Sequence, residues 1–569
     1  MTRISRRQFL SSASLAAGAV GLSGLAFASG VHGGQEGVVV DTAYGKLRGV
    51  REAGVSIFRG VPYAGRVSGD RRFRRPAPLE PWTGVRDALR LGPPSIQPPK
   101  STYGINEPPP AEDCLVLNVW TPAADGGRRP VMFYNHGGGF ERGSGGSRGQ
   151  DGANLARHFD VVVVETNHRL GLLGYLYLDE VAGEAYAGSG NNGVLDIVDG
   201  LRWVRQNIAA FGGDPGNVMV FGESGGGAKT SCVYAMPSAA SLFNKASIES
   251  GPGVRMTPRE DAAATTALLL KQMNIAPGEW HRLLEVSAAD LLALQMRLPS
   301  VAHSAAPGRT AGGPRHPIGI GPAAPGGFAP VVDGVVLPHH PFDPAAPNVS
   351  RDKPLVVGWN EDEYTFVAWA NKDTSGFGLD WGGVRAKLAS QFGADAARIV
   401  DTYRGSRPAA SPTDVYVAVE TVTMMGLGSV AIAERKAAQG GAPAYLYNFG
   451  YKSEVKVPGT DYPMGTPHAA DIAFKFNNVD TPSPFSGARP ERFVASRHMA
   501  EFWTTFARTG RPAAAGQPAW PAYDLARRAT MRIDTTCAVI EDRHRPEREM
   551  WAALGYLDPA GRPNARPRT

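Results

Sequence analysis

The sequence predicts an α/β fold with a mostly parallel central sheet and helices on both faces. The first observation behind this is a set of short, continuously apolar, β-branched runs at residues 130–135, 161–166, 218–221, 246–249, 355–359 and 444–449. Continuous rather than alternating apolarity marks strands buried on both faces. The second observation is that helical segments stand between or after these runs, including 192–211, 261–273 and 494–509. Strands alternating with helices favour parallel pairing through crossovers. The third is composition: 569 residues, 43% hydrophobic and 20% charged. Such a chain can bury a large core, and disorder is not expected. No linker composition divides residues 36–557, so a single large domain with long insertions is expected there.

The first segment is not part of that fold. Ser5-Arg6-Arg7-Gln8-Phe9-Leu10 matches the twin-arginine export motif. A mildly apolar run follows to about Phe27, and Ala26-Phe27-Ala28 offers a small-residue cleavage site. The run is too rich in Ala, Gly and Ser for a good anchor, so residues 1–28 read as a bacterial signal peptide and no stable membrane span is expected. The expected destination is the periplasm or the extracellular space. Residues 1–28 carry Arg3, Arg6 and Arg7 and no acid, so their removal lowers the formal charge from +6 to +3. The tail at 558–569 adds Arg562, Arg566 and Arg568. No interior Lys/Arg stripe is interleaved with aromatics, which argues against nucleic acid as a partner. Oligomeric state is not legible.

The most telling stretch is Phe211-Gly-Gly-Asp-Pro-Gly-Asn-Val-Met-Val-Phe-Gly-Glu-Ser224-Gly-Gly226. It reads as a buried strand, a tight turn and a helix start, with the G-x-S-x-G spacing of a nucleophile elbow. The turn leaves no room for side chains two residues either side of Ser224. The following helix points its N-terminus at the serine, where it favours developing negative charge. Upstream, Asn135-His136-Gly-Gly-Gly-Phe140 follows an apolar strand. This H-G-G-G pattern supplies bare backbone N–H groups to an oxyanion. Ser224 then needs a base and an orienting acid, in chain order Ser, Asp/Glu, His. Eight histidines follow it: His281, His303, His316, His339, His340, His468, His498 and His544. His339 and His340, between two prolines, read as a rigid turn.

These stretches resemble the type-B carboxylesterase/lipase family of the α/β-hydrolase superfamily, which includes the cholinesterases. Residues 211–226 match its active-serine signature, and Glu112-Asp113-Cys114-Leu115-Val116-Leu117-Asn118-Val119-Trp120 resembles its second one. Similar stretches run from about residue 38 to about 535. The resemblance implies an α/β-hydrolase fold and a serine hydrolase of carboxylic esters that needs no metal or cofactor. It maps the acid to Glu363, in the Asn360-Glu-Asp-Glu363 loop after a strand, with Glu361 and Asp362 left as a solvated acidic loop. It maps the base to His468, in Pro463-Met-Gly-Thr-Pro-His468-Ala-Ala-Asp-Ile472. It implies oxyanion donors at Gly138, Gly139 and Gly225, where the family more often has Ala at 225. Ser250 resembles a serine that supports the acid–base pair, and Glu223 is placed to tune His468. Arg72 with Glu112, and Arg169 with Asp196, resemble two family salt bridges. The family's N-terminal disulfide is not expected, because Ser95 stands where the partner of Cys114 would fall. A Cys232–Cys537 bond stays open. His168 and Val116 depart from the family pattern.

Two glycine-rich decoys are set aside. Gly188-Ser-Gly-Asn-Asn-Gly193 follows no strand and reads as a helix-opening turn. Gly222 to Thr230 misses a phosphate loop by one residue before Lys229. Rival readings are a lipase, thioesterase or amidase on the same site, or a non-catalytic binding protein on this fold. The latter is disfavoured because Ser224, Glu363, His468 and the 137–139 glycines are all present. The expected substrate is a small neutral or weakly anionic ester. Acyl and alcohol specificity lie in the insertions, including an Ala/Gly/Pro-rich loop at 304–327.

Overall fold

A computed structural model describes residues 37–99, 107–305 and 326–556. The signal segment, the basic tail and most of the 304–327 loop lie outside the described residues. In spatial order the sheet runs Gly37–Thr42, Gly45–Glu52, Val55–Pro62, Val116–Thr121, Val162–Thr166, Arg129–Asn135, Gly213–Glu223, Lys245–Glu249, Leu355–Asn360, Ala444–Phe449, Thr530–Ile533 and Ala538–Ile540. Every pairing from Val162–Thr166 to Thr530–Ile533 is parallel. All six expected strands lie in this block. The 218–221 run is the buried middle of the longer strand Gly213–Glu223.

The antiparallel edges were not legible. Gly37–Thr42 and Gly45–Glu52 alternate between exposed and buried positions and carry Lys46, Arg48 and Arg51 outward. Half-exposed edge strands have no continuous apolar run to reveal them.

The pleat divides the core in two. Val131, Phe133, Val218 and Val220 point to one side, against Val198, Leu201 and Val204. Met132, Tyr134, Met219 and Phe221 point to the other, against Phe476, Met499 and Trp503. The first side is covered by the helix Asn192–Asn207, continued by a 3₁₀ turn Ile208–Phe211, and the second by the helix Glu491–Thr509 with Phe476 at the end of the helix Ala470–Lys475. The 188–193 glycine segment forms a 3₁₀ turn, Ser189–Asn191, that opens the first of them. The run Pro412–Gln439 is long and apolar enough to cross a membrane by length and composition, but 72% of its apolar 18-residue window is buried in the protein. It is interrupted by a π-helical turn, Val422–Gly426, and packs in a separate apolar cluster with Leu388, Ile399 and Trp551.

Both implied salt bridges form. Arg169 grips Asp196 through Nε (2.8 Å) and Nη2 (2.7 Å) with both side chains buried, and the Arg169 N–H adds a third bond. Arg72 grips Glu112 and also donates to the Leu283, Leu284 and Val286 carbonyls, tying the N-terminal loops to a distant segment. Cys114, Cys232 and Cys537 are all free and buried, so the Cys232–Cys537 bond left open by the sequence is not made.

Removing one partner of a buried pair strands the other charge. Asp196→Ala is therefore expected to destabilise the protein by about 3–5 kcal/mol, read as a lower urea midpoint. A change under about 1 kcal/mol would mean that Arg169 finds water instead.

Candidate active site

The strand Gly213–Glu223 runs straight into the helix Gly225–Ala235, and Ser224 is the single residue between them. Its backbone is at φ 58°, ψ −126°, a strained conformation for a residue with a side chain. Its N–H donates to the Glu249 carbonyl (2.9 Å), and its carbonyl accepts from Ala228 (3.1 Å). A Cβ on Gly222 would lie 2.5 Å from the Gly226 carbonyl carbon, and one on Gly226 would run into the Asn135 carbonyl oxygen. The glycines are thus steric necessities of the turn.

Three residues from three separate segments meet in one hydrogen-bonded chain. Ser224 Oγ lies 2.7 Å from His468 Nε2, and His468 Nδ1 lies 2.6 Å from Glu363 Oε2. The other Glu363 oxygen accepts from Ser250 Oγ (2.6 Å) and from the Asn360 N–H (2.7 Å). Glu363 opens the helix Glu363–Asn371, where free N–H groups favour a carboxylate. His468 sits in the loop before the helix Ala470–Lys475. Glu363 is fully buried and His468 nearly so. Of the histidines left open by chain order, His340 accepts from the Met256 N–H, and His498 lies beside Gln517 and Cys537. Neither belongs to the Ser224 group.

Glu223, one residue before the serine, is buried with Oε1 3.4 Å from His468 Nε2. Burial pushes its pKa up to about 8. Burial alone would lower His468, but Glu223 and then Glu363 outweigh it and raise its pKa to about 9. The two groups titrate as a pair: a proton on Glu223 removes the field that holds one on His468.

The acidic loop is otherwise than expected. Glu361 is not solvated; Lys452, Arg532 and Arg543 surround it and, against the cost of burial, drive its pKa far down. Asp362 accepts from the Thr466 N–H (2.7 Å) and pairs with Lys452. These bonds tether the glutamate loop to the histidine loop, an arrangement no local pattern announces. Asn360, also missed, donates its side chain to the Pro467 carbonyl and to Asp471. A cavity of about 180 Å³ is lined by Trp359, Glu361, Asp362, Tyr462, Tyr523 and Trp551, among others, and by none of Ser224, His468 and Glu363.

The H-G-G-G loop folds over the serine turn. Gly138 and Gly139 take φ of 86° and 63°. The N–H groups of Gly138, Gly139 and Gly225 donate to no described residue. Gly225 needs no positive φ; its lack of a Cβ instead makes room for Gly139, whose N, Cα and O a methyl group would overlap. The reason for glycine here is close approach, not turn freedom. Lys229 is buried behind the loop and donates to the His136 carbonyl (3.0 Å), so it is no phosphate ligand. Burial lowers its pKa to about 7. His168 stacks on His136 (4.4 Å between ring centroids), and burial keeps both neutral.

Two outcomes follow from this geometry. Because His468 is raised, the acidic limb of kcat/KM should fall above the ordinary histidine value of about 6.5. Glu223→Gln removes the largest raising charge and should move that limb down by about one pH unit; an unmoved limb contradicts the pairing. Gly225→Ala should cost about tenfold or more in kcat by displacing Gly139, with thermal unfolding measured alongside to show that the variant still folds.

Comparison with known proteins identifies the family. Residues 36–551 match the model of the carboxylesterase family. The chain is 34% identical over 521 residues to a para-nitrobenzyl esterase of Bacillus subtilis, covering 90% of this chain and 98% of that protein. It is 32% identical over 530 residues to a phenmedipham hydrolase of Pseudarthrobacter oxydans, covering 90% and 98%. The crystal structure of the carboxylesterase EST55 of Geobacillus stearothermophilus superposes with a TM-score of 0.74 at 37% identity, covering 90% and 99%. The sheet order and flanking helices are those of an α/β-hydrolase fold, and the chain belongs to the carboxylesterase family as a carboxylic ester hydrolase.

Proposed function

We propose that this enzyme cleaves carboxylic esters through an acyl-enzyme formed on Ser224. The observation that carries the reading is the unbroken chain from Ser224 Oγ through His468 to Glu363, at 2.7 and 2.6 Å. His468 takes the Ser224 proton as Oγ attacks the ester carbonyl. Glu363, itself held by Ser250 and Asn360, keeps the ring oriented and stabilises its charged form. The N–H groups of Gly138, Gly139 and Gly225 receive the oxyanion, assisted by the N-terminus of the helix Gly225–Ala235. His468 then protonates the departing alcohol. Water, deprotonated by the same ring, attacks the acyl group and frees the acid and Ser224. Protons and electrons balance with these side chains and water alone.

The names of two relatives support a substrate class. A para-nitrobenzyl esterase and a phenmedipham hydrolase that cover nearly the whole chain support small, largely neutral esters. The Ser5–Leu10 motif supports export of the folded enzyme through the twin-arginine route.

Hydrolysis of p-nitrophenyl acyl esters of increasing chain length tests the reading. The folded enzyme should turn them over, and Ser224→Ala should lose about four orders of magnitude or more in kcat. An acyl-enzyme also predicts an initial burst of p-nitrophenol stoichiometric with enzyme. Full activity in Ser224→Ala would overturn it.

A further inference from the structure

Lys475 is completely buried, between Phe474 and Phe476. Its ammonium is 2.8 Å from Asp471, one helical turn earlier, and pairs with Glu249 at the end of the strand Lys245–Glu249. The ammonium lies over the Trp503 ring, 5.4 Å from its centroid. Burying an ammonium costs several kcal/mol, and a well-packed apolar residue is commonly as stable or more so. Packing therefore gives no reason for a lysine here.

Its connections give one. Asp471 accepts from Asn360 Nδ2 (3.1 Å) and faces the Tyr447 hydroxyl (3.5 Å). Asn360 holds Glu363 with its N–H and the Pro467 carbonyl, next to His468, with its side chain. Glu249 is fixed by Ser247 and Trp503, and Ser250 beside it donates to Glu363. The charged groups bearing on His468 are Glu223, Glu363 and Asp471, with the Phe366 ring alongside. Those bearing on Lys475 are Asp471 and Glu249, and Lys475 in turn acts on Glu223. The Tyr134 hydroxyl lies in the field of Glu223, Glu249, Asp471 and Glu165. Four of these carboxylates, Glu223, Glu363, Asp471 and Glu249, thus share the buried region around Tyr447 with one lysine. Burial opposes its charge, yet Asp471 and Glu249 keep its pKa above the ordinary lysine value.

We propose that Lys475 sets the pH at which His468 becomes a free base, by neutralising Asp471 so that it does not hold a proton on the ring, with Glu249 sharing and so moderating the charge of the lysine. It touches no reacting atom and acts through His468. The inference rests on the reading of His468 as the base.

The test is the pH profile of kcat/KM for p-nitrophenyl acetate in Lys475→Met, Glu249→Gln and the double variant. Lys475→Met removes a positive charge, so the acidic limb should rise by about half a pH unit or more. Glu249→Gln removes a negative one, so the limb should fall. The double variant restores the balance and should return close to the wild-type limb, with kcat at the plateau changed less than the limb. Lost packing would not move two limbs in opposite directions and cancel. If Lys475→Met does not fold, the double variant against Glu249→Gln isolates the lysine, and its limb should again lie higher. Limbs that stay put in the folded variants, or shift the same way, overturn the proposal. Ser224→Ala separates the two readings. An active Ser224→Ala sinks the mechanism itself. An inactive one with unmoved limbs sinks only the role of Lys475.

Discussion

The site depends on one strained turn. A parallel strand and a helix meet at Ser224 with no residue to spare, and Ser224 takes a left-handed φ that its side chain disfavours. The strain is held by neighbours on every side. The Glu249 carbonyl takes its N–H, Ala228 closes the first helical turn on its carbonyl, and Gly222 and Gly226 let backbones pass at distances a Cβ would forbid. Because that turn sits in the middle of the parallel block, its neighbouring strands Arg129–Asn135 and Lys245–Glu249 end beside it. They deliver the glycine loop on one side and Ser250 on the other.

The second organising fact is electrostatic. Glu223, Glu363, Asp471 and Glu249 are buried in one region with His468 and Lys475. In low dielectric each charge is felt by all the others. A single hydrogen bond therefore does not describe the histidine; its proton affinity belongs to the group. Asn360 is the neutral hinge of this arrangement, bonded to the glutamate, the histidine loop and Asp471 at once.

Much of this was legible in residue order. The strand, the elbow glycines and the H-G-G-G loop carry their chemistry locally, because a tight turn and a bare backbone admit few residue types. The glutamate loop was read only in part. Glu361 and Asp362 look like ordinary surface acids, yet Lys452 pairs with both, and Arg532 and Arg543, from up to 182 positions away, close on Glu361. Lys475 gave one faint signal, a lone lysine inside an apolar stretch beside the histidine. Gly225 was visible as a glycine, but its purpose became plain only with Gly139 packed against it.

Apolar periodicity and glycine spacing determined the α/β class, the central strands and the nucleophilic turn, since these depend on neighbours in sequence. The tertiary structure alone decided which histidine reaches Ser224, which acids are tethered, that Cys232 and Cys537 stay apart, and that a buried lysine joins the carboxylates. Those facts depend on distances between segments hundreds of residues apart, and the closure of a chain over such separations is set by packing and charge together rather than by any local pattern.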